Sequence, residues 1–536
     1  MFFRRAYSKS KKILFQFAAH AKVSIGLIPS LPKLIVDWGD VNSTLSSKSM
    51  AHLVATDGRA PINTFDVFDT LIARRCIEPV RIFDQVGAKM NIPDFTAQRR
   101  RAEAAVANAP HTIDDIYREL AKNLGLSDEQ AQAIKQAEIE AELENVIPIA
   151  EHIARVQDGD LLLSDMYLGE DNIRRLLAKA GFDKNVGLIV TSDGKRSGAL
   201  WPKLLAQHSI KRHLGDNRHS DVDMPMRFGI ACDHTRIATV TDMEALLLKA
   251  GLRDLVELVR EARLRSWHPD PVVRRLQLIQ IYLNFPILLL SSIRLLRLAK
   301  EQNISRLLFA SRDCNLWLPL ARLVAERINI PCAMDYFYTS RKARMQASAD
   351  YLAYARGFMN AESMIIDICG TGWSLAHFVK TIGLDSYRAF YIHHVRPMAA
   401  YERKSPTPAN CVVHAIIGPE KEGFSNPRFE MCNYAEHGSV EDVRLIESGA
   451  RPVFEDDHRP SPVLNMVAEQ RTCFTDAIGL MKNATLNATF ALNDRIITGI
   501  VGTLYGILSK DNVLPGIYMP SHREEDAKAM IEMGLE

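Results

Sequence analysis

TFDVFDTLIARR, residues 64–75, decides how the rest of the chain is read. It lies in an apolar run over residues 61–72 that has strand character, and it sets two carboxylates, Asp66 and Asp69, three residues apart. A carboxylate at the end of a strand is chemically useful when the strand belongs to a parallel sheet, because ligands bind at the C-terminal edge of such sheets. The flanking sequence has to show whether a parallel sheet is there.

From about Val80 to Arg155 the text is helical. DDIYRELAKNLGLSDEQAQAIKQAEIEAELENV (114–146) spaces its apolar residues by three and four and crowds charge onto the other face, which reads as an inserted all-helical subdomain. Strand-like runs return at GDLLLSDMYL (159–168), VGLIVTSD (186–193) and RHLGDNRHSD (212–221), with helical text between them. SWHPDP (266–271), with two closely spaced prolines, marks a boundary. Beyond it SRLLFASRD (305–313), MDYFYTSRK (334–342), SMIIDICGTGW (363–373) and YRAFYIHHVR (387–396) repeat the alternation. Strands alternating with helices predict a parallel sheet, and the repetition predicts two α/β domains. The divisions expected are a basic extension over 1–60, a first domain over 61–265 with its helical insertion at about 80–155, and a second α/β domain over 272–536. Its last part, 425–536, reads as mixed α with irregular segments.

A chain of 536 residues, 47% hydrophobic and 24% charged, holds two or three ordinary globular cores. The formal net charge of +2, without a basic stripe interleaved with aromatics, argues against nucleic-acid binding. Eight cysteines without a CxxC pair imply neither a disulfide framework nor a zinc knuckle, and fit a reducing cytoplasm. Before Asp37 only basic charges occur (Arg4, Arg5, Lys9, Lys11, Lys12, Lys22 and Lys33), among Phe2, Phe3, Phe15 and Phe17. Such a segment suits peripheral contact with an anionic membrane surface, or is a poorly ordered basic tail; without a small-residue cleavage site it does not read as a secretion signal. LQLIQIYLNFPILLLSSI (276–293) approaches membrane-span length but carries Gln277, Gln280, Asn284 and Pro286, and reads better as a buried core helix.

Four pieces line up along the first half: Asp66, Ser164 ending LLLS, Lys195 in DGKRSGALW, and Asp216 with Asp221 in GDNRHSD. Each follows a strand-like run, so a parallel sheet brings them to one edge. A carboxylate attacks phosphorus when a metal and a lysine neutralise the charges involved, and two aspartates five apart suit a hard cation.

In these motifs and their order the sequence resembles the haloacid dehalogenase superfamily, over residues 61 to about 240, with the helical insertion in the place of that superfamily's cap. The resemblance implies a Rossmann-like core and, for most members, Mg²⁺-dependent phosphatase chemistry. By its register Asp66 is the nucleophile, with Thr70 and Leu71 matching the motif's threonine and apolar residue. Ser164 binds a phosphoryl oxygen, Lys195 stabilises the charged nucleophile, and Asp216 and Asp221 hold the metal with Asp66 and the main-chain carbonyl of Phe68. One position departs from the pattern. Phosphatases of this kind have a second aspartate two residues after the nucleophile as general acid, and this chain has Phe68 there. Asp69 is the nearest substitute. The dehalogenases proper have a non-acidic residue at that site and use no metal, a reading that leaves Asp216 and Asp221 with less to do.

In the second half, Arg312, Arg341, Arg344, Asp367, Thr371 and Ser374 stand at strand ends, and GTGWS (370–374) has the form of a phosphate-cradling turn. The turn loosely resembles the phosphate loop of phosphoribosyltransferases, which usually opens with two acidic residues where this one has Asp367. A tight turn without a ligand is the other reading. As a whole the chain resembles large bacterial hydrolases of the dehalogenase superfamily, some associated with cell-surface carbohydrate synthesis. The expectation is a cytoplasmic Mg²⁺-dependent hydrolase or phosphotransferase acting on a small phosphorylated metabolite such as a sugar phosphate, through an aspartyl-phosphate. The alternatives are a degenerate binding or scaffold protein and a metal-free dehalogenase-like hydrolase. Substrate and oligomeric state are not legible.

Overall fold

The computed structural model describes residues 44–46 and 60–532. The basic extension expected over 1–60 lies almost wholly outside them, and with it the membrane-surface and tail readings. The described chain is α/β and builds two parallel sheets flanked by helices.

Eight strands among the described residues precede residue 240: β1 (Thr44–Ser46), β2 (Pro61–Asp66), β3 (Ile72–Arg74), β4 (Val146–Pro148), β5 (Leu161–Asp165), β6 (Gly187–Thr191), β7 (Ser209–Gly215) and β8 (Cys232–Thr235). The first sheet runs β1-β8-β7-β2-β5-β6, with β1 antiparallel at the edge and the other five strands parallel. β2 and β5 are covered on both faces, which is why they read as near-continuous apolar runs: Leu162 packs into one core with Phe65, while Leu161 and Leu163 face a second core with Trp201. The chain enters at β2, winds outward through β5 and β6, then crosses back to β7. The winding therefore reverses between β2 and β7, and Asp66 and Gly215 end those two strands.

The insertion comprises α1 (Val80–Met90), α2 (Phe95–Val106), α3 (Ile113–Leu124) and α4 (Asp128–Asn145). Capping boxes start α3 (Thr112 with Asp115) and α4 (Ser127 with Gln130). The helices rise from an antiparallel ribbon of β3 and β4, so the insertion's last helix ends at Asn145 and the chain returns through β4 before reaching 155. Two buried ion pairs hold it. Arg99 meets Glu138 bidentately at 2.7 and 2.8 Å, and Arg74 of the ribbon meets Glu142 of α4 at the same distances.

After the boundary, the helical stretch Pro271–Glu301 is long and apolar enough to cross a membrane, yet its most apolar window is buried throughout. The polar residues that told against a membrane span are held inside the protein. Gln280 donates to Cys432 O and Gln470 Oε1, both at 2.7 Å, and Asn284 donates to Asn433 Oδ1 at 3.0 Å. Pro286 falls in the first turn of Phe285–Glu301, within that stretch.

The second sheet consists of β9 (Arg306–Ala310), β10 (Ala333–Phe337), β11 (Ser363–Gly370), β12 (Tyr387–His394) and β13 (Cys411–Ile417), all parallel in the order β10-β9-β11-β12-β13. Its winding reverses between β9 and β11. The region read as mixed α also contains an antiparallel hairpin, β14 (Val440–Ile446) and β15 (Gly449–Phe454), with Val440 and Val443 packed in the core and Ser348 donating to Asp442 Oδ1 at 2.8 Å. RHLGDNRHSD is strand only as far as Gly215; Arg218–Asp223 is a π-helical turn.

Candidate functional site

β2 delivers Asp66 to the reversal point of the first sheet with its carboxylate buried. Thr70, one helical turn's length further on, donates to Asp66 Oδ2 at 3.0 Å. Asp66 Oδ1 accepts from Lys195 Nζ, and the same ammonium donates to Asp221 Oδ1 at 2.8 Å. Lys195 is 2% exposed, so it bridges the two carboxylates away from bulk water. The lysine is placed by a residue outside the set expected from the sequence. Asp165, the last residue of β5, accepts from the Lys195 and Arg196 main-chain N–H groups at 3.1 and 3.0 Å and from the Thr191 hydroxyl. That turns the short helix Gly194–Ser197 so that Lys195 points inward.

Asp221 comes from the π-helical turn after β7. Asn217 N donates to Asp221 Oδ2 at 2.9 Å, and the Asn217 side chain accepts from His219 N at 3.0 Å, so the turn folds back on the strand end. The fold-back brings Asp221 against Gly215, where a Cβ would lie 2.4 Å from the Asp221 Cβ and Cγ. Only glycine fits. His213 Nε2 lies 3.3 Å from Asp221 Oδ1 and its Nδ1 lies 2.8 Å from Thr64 Oγ1. A carboxylate only accepts, so Nε2 carries the proton and Nδ1 accepts from Thr64. Burial lowers the His213 pKa despite Asp221, which keeps the ring neutral.

Asp216 completes the cluster. Ligand atoms of Asp66, Asp216 and Asp221 all lie within 4.8 Å of one another. The Asp216 carbonyl accepts from His234 Nε2 at 2.8 Å, while its half-buried carboxylate has no hydrogen-bond partner among the described residues. Burial raises Asp66 to about 7 against the pull of Lys195, with Asp221 adding repulsion. Burial, then Asp66, Asp69 and Asp221, raise Asp216 to about 9. Asp221 goes the other way: burial would raise it, but Lys195 and His213 hold it well below the usual carboxylate range. Lys195 is raised because Asp221 and Asp66 outweigh its burial. Three carboxylates with one bridging ammonium leave an excess of negative charge. An oxygen-only donor set with an unpartnered carboxylate fits a hard divalent cation such as Mg²⁺.

Among the described residues no hydrogen bond joins the remaining expected residues to this cluster, although the Asp69 carboxylate is near enough to Asp216 to raise it. Ser164 is buried in β5, one position beyond the residue paired with Asp66, and no hydrogen bond joins it to the cluster. Phe68 lies half-buried beneath the Arg74 guanidinium, 4.6 Å from its ring centre. Asp69 has a left-handed backbone (φ 55) and donates its N–H to Ile72 O at 2.7 Å. Burial raises its pKa, while Arg74 and Arg260 pull it down. Asp165, His213 and Thr64 escaped sequence reading. Asp165 directly follows a strand-end serine and was the one of the three with a signal.

At the second sheet Arg344, Thr339 and Ser374 meet: Arg344 Nη1 donates to Thr339 Oγ1 at 2.9 Å and Nη2 to Ser374 Oγ at 3.0 Å. Arg312, Arg341, Asp367 and Thr371 line the same cleft. Arg312 stacks over Tyr434 at 5.3 Å, and Thr371 Oγ1 accepts from Trp373 N at 3.2 Å. His393 Nδ1 donates to Asn426 Oδ1 at 2.6 Å.

No protein-family model and no curated protein matches this chain.

Proposed function

We propose that the chain is a hydrolase or phosphotransferase of the haloacid dehalogenase type, acting with Mg²⁺ on a small phosphorylated metabolite, with a sugar phosphate as the favoured class. The observation that carries this reading is the Lys195 ammonium bridging Asp66 and Asp221, with Asp216 within 4.8 Å, at the reversal point of a parallel sheet. Asp66 Oδ2 attacks phosphorus, the ester P–O bond breaks, and the leaving oxygen departs with its electron pair; water or an acceptor hydroxyl then takes the phosphoryl group from Asp66. Lys195 and Thr70 fix the attacking carboxylate, and Lys195 opposes the burial that raises it to about 7. Asp66, Asp216 and Asp221, with the Phe68 carbonyl, would hold Mg²⁺, which when bound offsets charge on the phosphoryl oxygens. Sequence order supports the same assignment, because the four motifs stand where that superfamily has them.

A second reading has its own observation. Phe68 occupies the position of the general acid and is covered by Arg74, so nothing there protonates a leaving group. A fold of this kind without its acid serves as a phosphate-binding or scaffold module. The test is release of nitrophenol from p-nitrophenyl phosphate with and without Mg²⁺, for wild type and Asp66→Asn. Mg²⁺-dependent release that Asp66→Asn abolishes is the expected result. No release, together with no Mg²⁺ binding by calorimetry, would replace the enzyme with the binding module.

A further inference from the structure

A cleft of about 270 Å³ opens where the second sheet reverses its winding, at the C-terminal ends of β9 and β11. In doubly wound sheets that crevice is where ligands sit. Pockets for drug-sized ligands start at roughly 300 Å³, so this one suits a monosaccharide-sized compound better than a dinucleotide.

Its wall has groups that nothing among the described residues satisfies. Tyr391 is 3% exposed and lines the cleft, yet its hydroxyl has no hydrogen-bond partner among the described residues. Burial raises its pKa, so the hydroxyl keeps its proton and is a donor in waiting. It faces the GTGWS turn: a Cβ on Gly372 (φ +72) would lie 3.7 Å from that oxygen, and one on Gly370 would lie 3.1 Å from the ring. The turn leads into the helix Trp373–Thr381, whose Ser374 and Leu375 N–H groups have no main-chain partner among the described residues. Beside them Arg344, oriented by Thr339 and Ser374, makes no ion pair with any described carboxylate. Asp367 lines the same cleft, raised to about 7 by burial with Arg344 opposing. A further acid of the wall, Glu430, is engaged by Cys369 Sγ at 3.1 Å and by His522 at 3.6 Å.

We propose that this cleft is a second ligand site, independent of Asp66, for the phosphate ester of a small polyol. Arg344, the Tyr391 hydroxyl and the Ser374 and Leu375 amides take the phosphoryl oxygens. Asp367 accepts from the ligand's hydroxyl groups.

The test is hydrogen exchange of the full-length protein in EDTA, with glucose 1-phosphate, inorganic phosphate or glucose at millimolar concentration. Glucose 1-phosphate should slow exchange in peptides covering 370–376, inorganic phosphate should do so more weakly, and glucose should not. Tyr391→Phe keeps the ring and loses only the hydroxyl, so it should bind about tenfold more weakly without unfolding. Arg344→Gln should bind more weakly still, and Asp66→Asn should bind like wild type. The absence of protection at 370–376, protection by glucose alone, or wild-type affinity in Tyr391→Phe would overturn the site. Equal protection by phosphate and its ester would overturn the polyol part. Loss of binding in Asp66→Asn would overturn its independence.

Discussion

Replacing Lys195 with methionine removes the ammonium that bridges Asp66 and Asp221 while keeping most of the side chain's volume. All three groups are buried, Lys195 at 2% and Asp221 at 1% exposure, so water cannot take over the lost charge. Breaking a buried pair by removing one partner costs about 3–5 kcal/mol. The cost depends on pH, and the sign follows from the carboxylates. Asp66 at about 7 and Asp216 at about 9 lie above the ordinary 3.8, so between those limits the folded protein holds more protons than the unfolded chain and loses stability as pH rises. Asp221, depressed by Lys195 and His213, contributes stability above the ordinary carboxylate pKa; without Lys195 most of that contribution goes. The variant should therefore be hurt most at pH 8 and least near pH 5, where protons replace the ammonium. Because two sheets need not unfold together, a local probe is required. Amide exchange in β2 and β7 reports their opening free energy, and a loss of 3–5 kcal/mol speeds it by about two to three and a half orders of magnitude. Equal acceleration at pH 5 and pH 8, or none at either, would refute the bridging charge as the element that holds the cluster.

Mg²⁺ binding to wild type at pH 7.5 should release protons, because Asp216, raised to about 9, must ionise to bind; calorimetry in buffers of different ionisation enthalpy measures this, with affinity rising as pH rises and binding lost in Asp216→Asn. Asp165→Ala removes the acceptor for the Lys195 and Arg196 amides and should destabilise the 194–197 turn by about 1–2 kcal/mol, read as faster exchange there while β9 to β13 are unaffected. Glu138→Ala leaves the buried Arg99 with Glu103, at 3.0 Å, as its remaining carboxylate partner and strips the Tyr117 hydroxyl of its 2.7 Å partner, so the insertion should lose about 1–3 kcal/mol and be cut first by limited proteolysis within 95–145.

Strand ends and insertion were legible because each has a periodicity of its own. Buried parallel strands read as apolar runs, and the capping boxes at Thr112 and Ser127 announce α3 and α4. The Asp66, Lys195 and Asp221 cluster was legible only as an ordered set of strand-end residues. What brought them within bonding distance is local geometry that no periodicity reports: the π-helical turn that folds Asp221 onto Gly215, and the Asp165 carboxylate that turns Lys195 inward. The β3–β4 ribbon and the β14–β15 hairpin were missed because short strands leave too few residues to show alternation. Pairing of β1 with β8 joins residues nearly two hundred positions apart, and its three residues carry no strand signal.

In the proposed reaction, the departure at Phe68 separates attack, for which groups stand at Asp66, from protonation of the leaving group, for which Phe68 offers nothing. Attack needs a fixed carboxylate that ionises near neutrality, and Lys195 with Thr70 fixes Asp66 and opposes the burial that raises it to about 7. Protonation of the leaving oxygen needs a group that holds a proton near neutrality. Phe68 offers none, but Asp69, on the same tight loop, is pushed up by burial and is close enough to Asp216 to raise it in turn. Arg74 and Arg260 oppose that push without cancelling it, which leaves Asp69 as the candidate acid. Leaving-group dependence decides the matter. A nitrophenolate departs without help, whereas an alkoxide does not, so an acid at Asp69 makes Asp69→Asn cost about 10²- to 10⁴-fold with an alkyl phosphate and far less with an aryl one. If the variant slows both esters by the same factor, Asp69 shapes the loop and protonates nothing.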